Sequence, residues 1–229
     1  MSKHKFNLII TASLFLTFIF FTVLVKTVDV GAIGPNGSEV GLSSINGYFF
    51  SQVGGSKTIY KLSEIFGYIT FLVIAGFAGL GLYQLIKRKC ICKVDISVLI
   101  LGCFYVLVFA FYFLFEIVEI NYRPILSEEG ELEASYPSSH TLLSLCVVSS
   151  AIIVIKDLFF DKKPILIASY VGGGLLMAVT VIGRLLAGVH WLSDIVGGIL
   201  LSTALIMAFC TALTFAKEKF SSKCNLTDK

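Results

Sequence analysis

Long apolar runs separated by short polar segments dominate the chain. A membrane-spanning helix needs about 20 mostly apolar residues, and six runs reach or approach that length. They lie at residues 7–25, 65–86, 96–118, 140–159, 165–186 and 192–216. The pattern predicts an all-α fold, a six-transmembrane-helix bundle, in which residues 1–229 form a single membrane-embedded domain.

The first run could also be a secretory signal, because it follows Lys3 and Lys5. Its apolar stretch is longer than the 7–15 residues typical of such signals, and no small-residue cleavage site follows closely. We therefore interpret it as an uncleaved first helix.

Basic residues fall in alternate connections, which predicts the orientation. Six spans put four basic segments on one side: the N-terminus, the turns after the second and fourth helices, and the C-terminus. Because short cytoplasmic loops carry an excess of Lys and Arg, this side is predicted to be cytoplasmic, with both termini. Residues 26–64, 119–139 and 187–191 then lie outside. We interpret 26–64 as an external loop without catalytic residues, in which Tyr48-Phe49-Phe50 could form a short interfacial element.

Composition agrees with a lipid environment. Hydrophobic residues make up 56% of the chain and charged residues 14%, whereas a soluble domain is about 25% charged. The net charge is +3 and no basic run alternates with aromatics, so the expected partner is the bilayer and not nucleic acid. None of the six cysteines falls in a segment predicted to lie outside, which argues against a disulfide framework. The sequence does not predict an oligomeric state.

Three polar clusters fall at the predicted outer boundary of the helices. The first follows the third helix, the second enters the fourth, and the third spans the turn between the fifth and sixth. They are Arg123-Pro124, Pro137-Ser138-Ser139-His140, and Arg184 with His190 and Asp194. Ionisable groups at membrane depth are costly and usually functional. We therefore expect these side chains to meet at one site.

The third cluster has the residue types of an activated nucleophile. His190 and Asp194 are spaced i, i+4, so on a helix the carboxylate could accept the imidazole Nδ1–H and leave Nε2 free. An imidazole held in this way is a nucleophile or a base. The planar guanidinium of Arg184 matches the oxygens of a phosphate.

The second cluster resembles a helix start. Ser138 can cap the helix, and the free N–H groups of Ser139 and His140 would then form an anion site. His140 falls in the first turn, where it could face a bound phosphate.

In order and spacing, the three clusters resemble the signature motifs of the type 2 phosphatidic acid phosphatase family. The resemblance covers residues 112–198 and implies an integral membrane phosphatase that needs no metal or other cofactor. Its substrate would be a phosphate or diphosphate monoester of a membrane lipid, hydrolysed through a phosphohistidine at the external face. By this resemblance His190 is the nucleophile, Asp194 orients it, and His140 protonates the leaving alcohol. Four residues would hold the phosphoryl group: Arg123, Arg184, Ser138 and Ser139.

Three positions depart from the family pattern. Glu116 stands where the first motif has a Lys, Ser139 where the second has a Gly, and Gly183 where the third has a Ser. Glu116 would repel a phosphate dianion unless it is paired or turned away. It could pair with an arginine of the site, recognise another part of the substrate, or face elsewhere.

Several alternatives stay open at this point. The substrate could be phosphatidic acid, phosphatidylglycerophosphate or a polyprenyl diphosphate. A phosphotransferase of the same fold, a non-catalytic member, and a haem protein with His140 and His190 as axial ligands also fit these residues. A serine protease lacks its G-x-S-x-G signature. The short loops suggest a bacterial cell membrane.

Overall fold

The structure, a computed structural model, describes residues 3–53 and 55–227, with side chains described for 4–53 and 55–219. Within these residues there are seven α-helices, and six of them are long and apolar enough to cross a membrane. The helices are α1 Lys3–Thr27, α2 Ser43–Val53, α3 Lys57–Arg88, α4 Ile96–Ile117, α5 Ser139–Leu158, α6 Lys163–Leu186 and α7 Leu192–Thr227. The prediction of an all-α, six-span bundle is confirmed.

Helix α3, which corresponds to the second predicted span, begins earlier than predicted. It starts at Lys57, not at residue 65, and the side chain of Ser56 caps it by accepting a hydrogen bond from the Ile59 amide. The first two turns are polar, so an apolar-run criterion does not detect them. Because of these extra turns, Tyr60 and Glu64 are presented at the same end of the bundle as the three polar clusters.

Helices α5 and α7 form the centre of the bundle. About half of the apolar span is buried in each, 56% in α5 and 50% in α7, against 11% in α1, α3 and α6. Leu142, Leu201 and Leu205 pack there in a core that also receives Phe104 from α4. The other helices turn large apolar side chains such as Leu72 and Val106 outward, as expected of a surface in contact with lipid.

Tyr136, in the segment before α5, packs against helices α1 and α7. It is 1% exposed, its ring stacks on Phe18 with centroids 6.4 Å apart, and its hydroxyl lies 2.8 Å from Thr22 Oγ1. Gly197 of α7 allows this packing, because a Cβ there would come within 2.4 Å of the tyrosine ring. The entry to α5 is therefore held between α1 and α7.

The connections divide into two ends. The segments that carry or adjoin the polar clusters lie together at one end, which we call the motif end: residues 28–53, 55–56, 118–138 and 187–191. The connections at residues 89–95 and 159–162 lie at the opposite end, where His4 of α1 meets Glu218 of α7. The cytoplasmic location of that second end stays a prediction from the positive-inside rule.

Candidate active site

A short antiparallel turn brings the first and second clusters together. Tyr122 and Ala134 form a β-bridge, and the Arg123 amide donates to the Glu133 carbonyl at 2.9 Å. Farther along, the Ser138 amide donates to the Asp194 carbonyl at 3.0 Å. Backbone hydrogen bonds thus connect all three clusters, although they are up to 71 positions apart (194 − 123) in the sequence.

His190 is buried in the turn before α7. Its side chain is 1% exposed, and its Nδ1 lies 3.1 Å from the carbonyl oxygen of Ser135. Because a carbonyl can only accept, this contact requires the proton of the neutral ring to sit on Nδ1. Nε2 has no hydrogen-bond partner. The ring therefore has the tautomer that leaves a lone pair on Nε2, as an attacking nitrogen needs.

The partner of Nδ1 differs from the one expected. Asp194 Oδ2 lies 3.7 Å from His190 Nδ1, and it accepts a hydrogen bond from the Trp191 amide at 2.9 Å instead. Since α7 begins only at Leu192, His190 precedes the helix, and the i, i+4 geometry does not apply. Asp194 closes the turn that carries the imidazole, while the Ser135 carbonyl sets the tautomer.

Arg184 is the largest fully buried side chain in the described structure. It is 1% exposed, and its guanidinium carbon lies 5.4 Å from the centre of the Tyr60 ring. Two of its nitrogens, Nε and Nη1, have no hydrogen-bond partner. Burying a cation without satisfying its donors is costly, so this geometry is typical of a site that binds an anion.

Arg123 is partly engaged by the protein. Its Nη1 lies 2.9 Å from Glu133 Oε2, and the side chain is 20% exposed. Its Nε has no partner. One edge of the guanidinium thus pairs with a carboxylate while the other edge is free for a second anion.

His140 lies in the first turn of α5, against α3. A Cβ on Gly67 would come within 2.8 Å of the His140 Cδ2 atom, so the ring touches the backbone of α3. Arg184, His190 and Arg123 lie within electrostatic reach of His140. The structure therefore brings two imidazoles and two guanidinium groups to one place at the motif end.

The two serines of the second cluster have different surroundings. Ser138 is fully buried, and its hydroxyl accepts the Thr141 amide at 3.5 Å as a helix cap. Ser139 is half-buried and lines a narrow cleft together with His190 and Glu116. Of the two hydroxyl groups, only that of Ser139 borders the space beside the imidazole.

Glu116 is exposed at the end of α4 and borders the same cleft as His190. Neither arginine pairs with it, because Arg123 pairs with Glu133 and Arg184 packs on Tyr60. Among the described side chains no cation lies within ion-pair distance of Glu116. The pairing considered from the sequence is therefore not formed.

The departure at Gly183 has a packing reason. A Cβ at this position would lie 3.0 Å from the Cβ of Ser63 on α3, so a serine here would force α3 and α6 apart. Gly188 lies where α6 ends. Its φ of 65° is in the left-handed region, which favours glycine.

A buried amide network supports the turn of His190, and sequence reasoning missed it. Asn121 donates to Asp194 Oδ1 at 3.3 Å, and Asn46 of α2 hydrogen-bonds Ser193. Phe50, also on α2, packs on Trp191 with ring centres 5.3 Å apart. The segment 26–64, predicted as an external loop without catalytic residues, contains α2, which includes Tyr48-Phe49-Phe50, and the start of α3. Its role in supporting the turn of His190 was not predicted. Spacing carries no signal for Asn46, because it lies 144 residues (190 − 46) before His190.

The electrostatic setting keeps His190 neutral. Burial lowers the pKa of this imidazole well below its ordinary value, and the charges of Arg184 and Arg123 lower it further. A neutral ring with a free Nε2 can attack an electrophile. In the described part of the chain, no three His, Cys, Asp or Glu side chains are grouped as a metal site.

Comparison with known proteins identifies a family that part of this chain resembles. Residues 115–218 match the family model described as the PAP2 superfamily. This part of the chain is similar to the PAP2 superfamily. This confirms the resemblance drawn from the three clusters, and the PAP2 region contains all eight residues singled out from the sequence, from Glu116 to Asp194. Asn46, Tyr60, Glu64 and Gly67 precede it.

A solved structure shares the fold over most of the chain. It is the crystal structure of a transmembrane PAP2-type phosphatidylglycerolphosphate phosphatase from Bacillus subtilis, with a TM-score of 0.57 and 19% sequence identity. The similarity covers 93% of this chain and 96% of that one. At this identity the likeness concerns the fold. No curated protein matches the chain significantly.

Proposed function

We propose that this integral membrane protein is a lipid-phosphate phosphatase that works through a phosphohistidine on His190. The proposal rests on one observation: two buried side chains of the site, Arg184 and His190, both have nitrogens without a hydrogen-bond partner. Arg184 offers two unpaired guanidinium nitrogens, and His190 offers an unpaired Nε2. A phosphoryl group between them would satisfy the cation and meet the nucleophile. The match of residues 115–218 to the PAP2 family model and the similarity to a solved phosphatase support the same reaction class.

Arg184 and Arg123 bind the phosphoryl oxygens in this mechanism. Catalysis of phosphoryl transfer consists mainly of positioning and of stabilising charge on those oxygens. The free edge of Arg123 supplies a second cation, and Ser139 with the start of α5 supplies hydrogen-bond donors. Ser138 contributes by capping α5.

His190 acts as the nucleophile, and His140 acts as the general acid and then the general base. The Nε2 lone pair of His190 attacks phosphorus, and the bond from phosphorus to the ester oxygen breaks. Protonated His140 donates its proton to the leaving alkoxide. His140 then takes a proton from water, whose oxygen attacks the phosphohistidine, and phosphate leaves as His190 is regenerated. Asp194 keeps the His190 turn in place throughout.

The surroundings suit a substrate with an apolar tail. The site lies at the motif end. An apolar groove of about 670 Å³ lies between α3 and α4 in the half of the bundle away from the site, because Ile91 and Val94 of the opposite connection line it. A lipid whose phosphate reaches the arginines can extend its tail along the apolar helix surfaces that lead to this groove. We propose a bacterial cell membrane as the location, with the site on the non-cytoplasmic side.

Phosphate release from a lipid phosphate in detergent tests the proposal. His190→Gln and His140→Gln should each lower the rate at least about a thousandfold, since nucleophile and acid are both required. EDTA should have no effect. His4→Gln is the matched control, because His4 pairs with Glu218 at the opposite end of the bundle at 2.5 Å. Full activity of folded His190→Gln would refute the mechanism, and transfer of labelled phosphate to another lipid would identify a phosphotransferase.

A further inference from the structure

A second cavity adjoins His140, and His190 is not among the residues that line it. It has a volume of about 200 Å³ and lies between α3, α4 and α5. Glu64, Gly67 and Thr70 line it from α3, Tyr112 from α4 and His140 from α5. A volume of this size is several times what one water needs, so the cavity can hold a small polar fragment.

Thr70 indicates that the bound fragment must form a hydrogen bond. The side chain is 2% exposed, and its hydroxyl has no hydrogen-bond partner. Threonines in apolar helices normally bond the carbonyl four residues earlier. Thr22, Thr180, Thr211 and Thr214 do so here at 2.8–2.9 Å. Thr70 makes no such bond, and a buried hydroxyl left unpaired is costly.

Glu64 gives the cavity its polarity. It is half-buried and lines the cavity two turns before Thr70. Its neighbours are Tyr60 and, within electrostatic reach, Arg184. A carboxylate accepts hydrogen bonds and donates none. A fragment bound between Glu64 and Thr70 is therefore recognised best when it carries a hydrogen-bond donor.

We propose that this cavity binds the leaving alcohol, and that Thr70 and Glu64 select lipid phosphates whose alcohol carries a hydroxyl group beside the phosphoester carbon. This inference rests on the proposed function, because it takes His140 as the acid that protonates the leaving oxygen. The leaving alcohol must lie against His140 at that moment, and the cavity is the space on its α3 side. The hydroxyl donates to Glu64 and accepts from Thr70.

The proposal separates the candidate substrates by the group that their leaving alcohol carries next to the phosphoester carbon. A glycerol-type leaving group with a free neighbouring hydroxyl satisfies both side chains. A phosphate on a polyprenyl chain carries no such hydroxyl, so the Thr70 hydroxyl stays unpaired and Glu64 receives no hydrogen bond from the substrate. A diacylglycerol leaving group has an ester oxygen at that position, which can accept from Thr70 but cannot donate to Glu64.

Two synthetic substrates that differ by one hydroxyl test this directly. They are 1-palmitoyl-glycerol 3-phosphate and its 2-deoxy analogue, palmitoyl-propanediol phosphate, assayed in detergent as kcat/KM with the full-length protein. Wild type should favour the hydroxyl substrate at least about tenfold, the range expected for hydrogen bonds to a buried hydroxyl and a carboxylate. Thr70→Val and Glu64→Gln should each reduce that ratio about threefold or more. Thr70→Ser should keep it, because it retains the hydroxyl.

Thr211→Val is the matched control. Thr211 is also a buried helical threonine, but it bonds its own helix and lies far from the cavity in α7, so the ratio should equal that of wild type. Equal kcat/KM for the two substrates in wild type would overturn the inference. So would an unchanged ratio in folded Thr70→Val and Glu64→Gln. If Thr70→Val does not fold, the Glu64→Gln ratio decides. Failure of the proposed function looks different, because wild type would then release phosphate from neither substrate.

Discussion

The carboxamide of Asn46 holds Ser193 through two hydrogen bonds. Asn46 Nδ2 donates to Ser193 Oγ at 2.8 Å, and the Ser193 amide donates to Asn46 Oδ1 at 3.0 Å. The same Nδ2 also reaches the Gly41 carbonyl at 2.7 Å. Through this contact the short helix α2, from a long polar connection, supports the first residues of α7. The turn that carries His190 is thereby fixed from a distant part of the chain.

Asn46→Ala should destabilise the protein and lower activity. The substitution leaves the buried Ser193 amide without a partner and removes the closer donor to the Ser193 hydroxyl, to which Asn121 Nδ2 still donates at 3.3 Å. The expected loss is about 1–3 kcal/mol. Thermal unfolding in detergent measures the first effect and phosphate release the second. Gln52→Ala serves as the control, since Gln52 is an exposed amide on the same helix. Equal melting temperatures for the two variants would show that α2 does not support the turn.

Gly67→Ala should reduce phosphate release about tenfold or more. The added methyl would lie 2.8 Å from His140 Cδ2 and 3.2 Å from Nε2. The ring has to move, and a small displacement of a catalytic group is costly in rate. Gly79→Ala on the same helix meets no atom within 4 Å and should behave as wild type. An active Gly67→Ala variant would indicate that the position of His140 is not critical.

His190 should stay neutral at a pH where an ordinary histidine is protonated. Burial and the charges of Arg184 and Arg123 lower its pKa, so protonation should begin only well below the usual value of about 6.5. The neutral ring is the nucleophile, and kcat/KM should therefore hold as the pH falls through 6.5 unless another group titrates.

Nitrogen chemical shifts of labelled histidine measure this pKa directly. The chain has three histidines, so His4→Gln and His140→Gln variants assign the signals of His190. At pH 6 its resonances should still be those of the neutral ring with the proton on Nδ1. A midpoint at 6.5 or above would contradict the described environment.

Glu116→Lys should alter substrate preference without loss of stability. Glu116 is exposed and pairs with no described cation, so the change in the free energy of unfolding should be within about 0.5 kcal/mol. The new cation beside the cleft of His190 should favour more highly charged substrates, measured as the kcat/KM ratio of a lipid diphosphate to a monophosphate. Glu128→Lys makes the same charge change at an exposed position of the 124–134 turn and should leave that ratio unaltered. A clear loss of stability would instead give Glu116 a structural role.

Local pattern was sufficient for the helices and for the polar clusters. Apolar runs predicted the six spans, because a segment that satisfies its own backbone hydrogen bonds in lipid must be helical. The three clusters pointed to the residues of the site and to their family, because these residue types stand at fixed short spacings.

Contacts between distant segments were decided only by the tertiary structure. No sequence pattern joins Asn46 to Ser193 or places Gly67 against His140. None favours the Ser135 carbonyl over Asp194 as the partner of His190. Each depends on how α2, α3 and the 118–138 turn pack, and packing follows from shape complementarity across the whole bundle. Hydropathy records how apolar a segment is, whereas the side chain that fills a given space is set by neighbours far away along the chain.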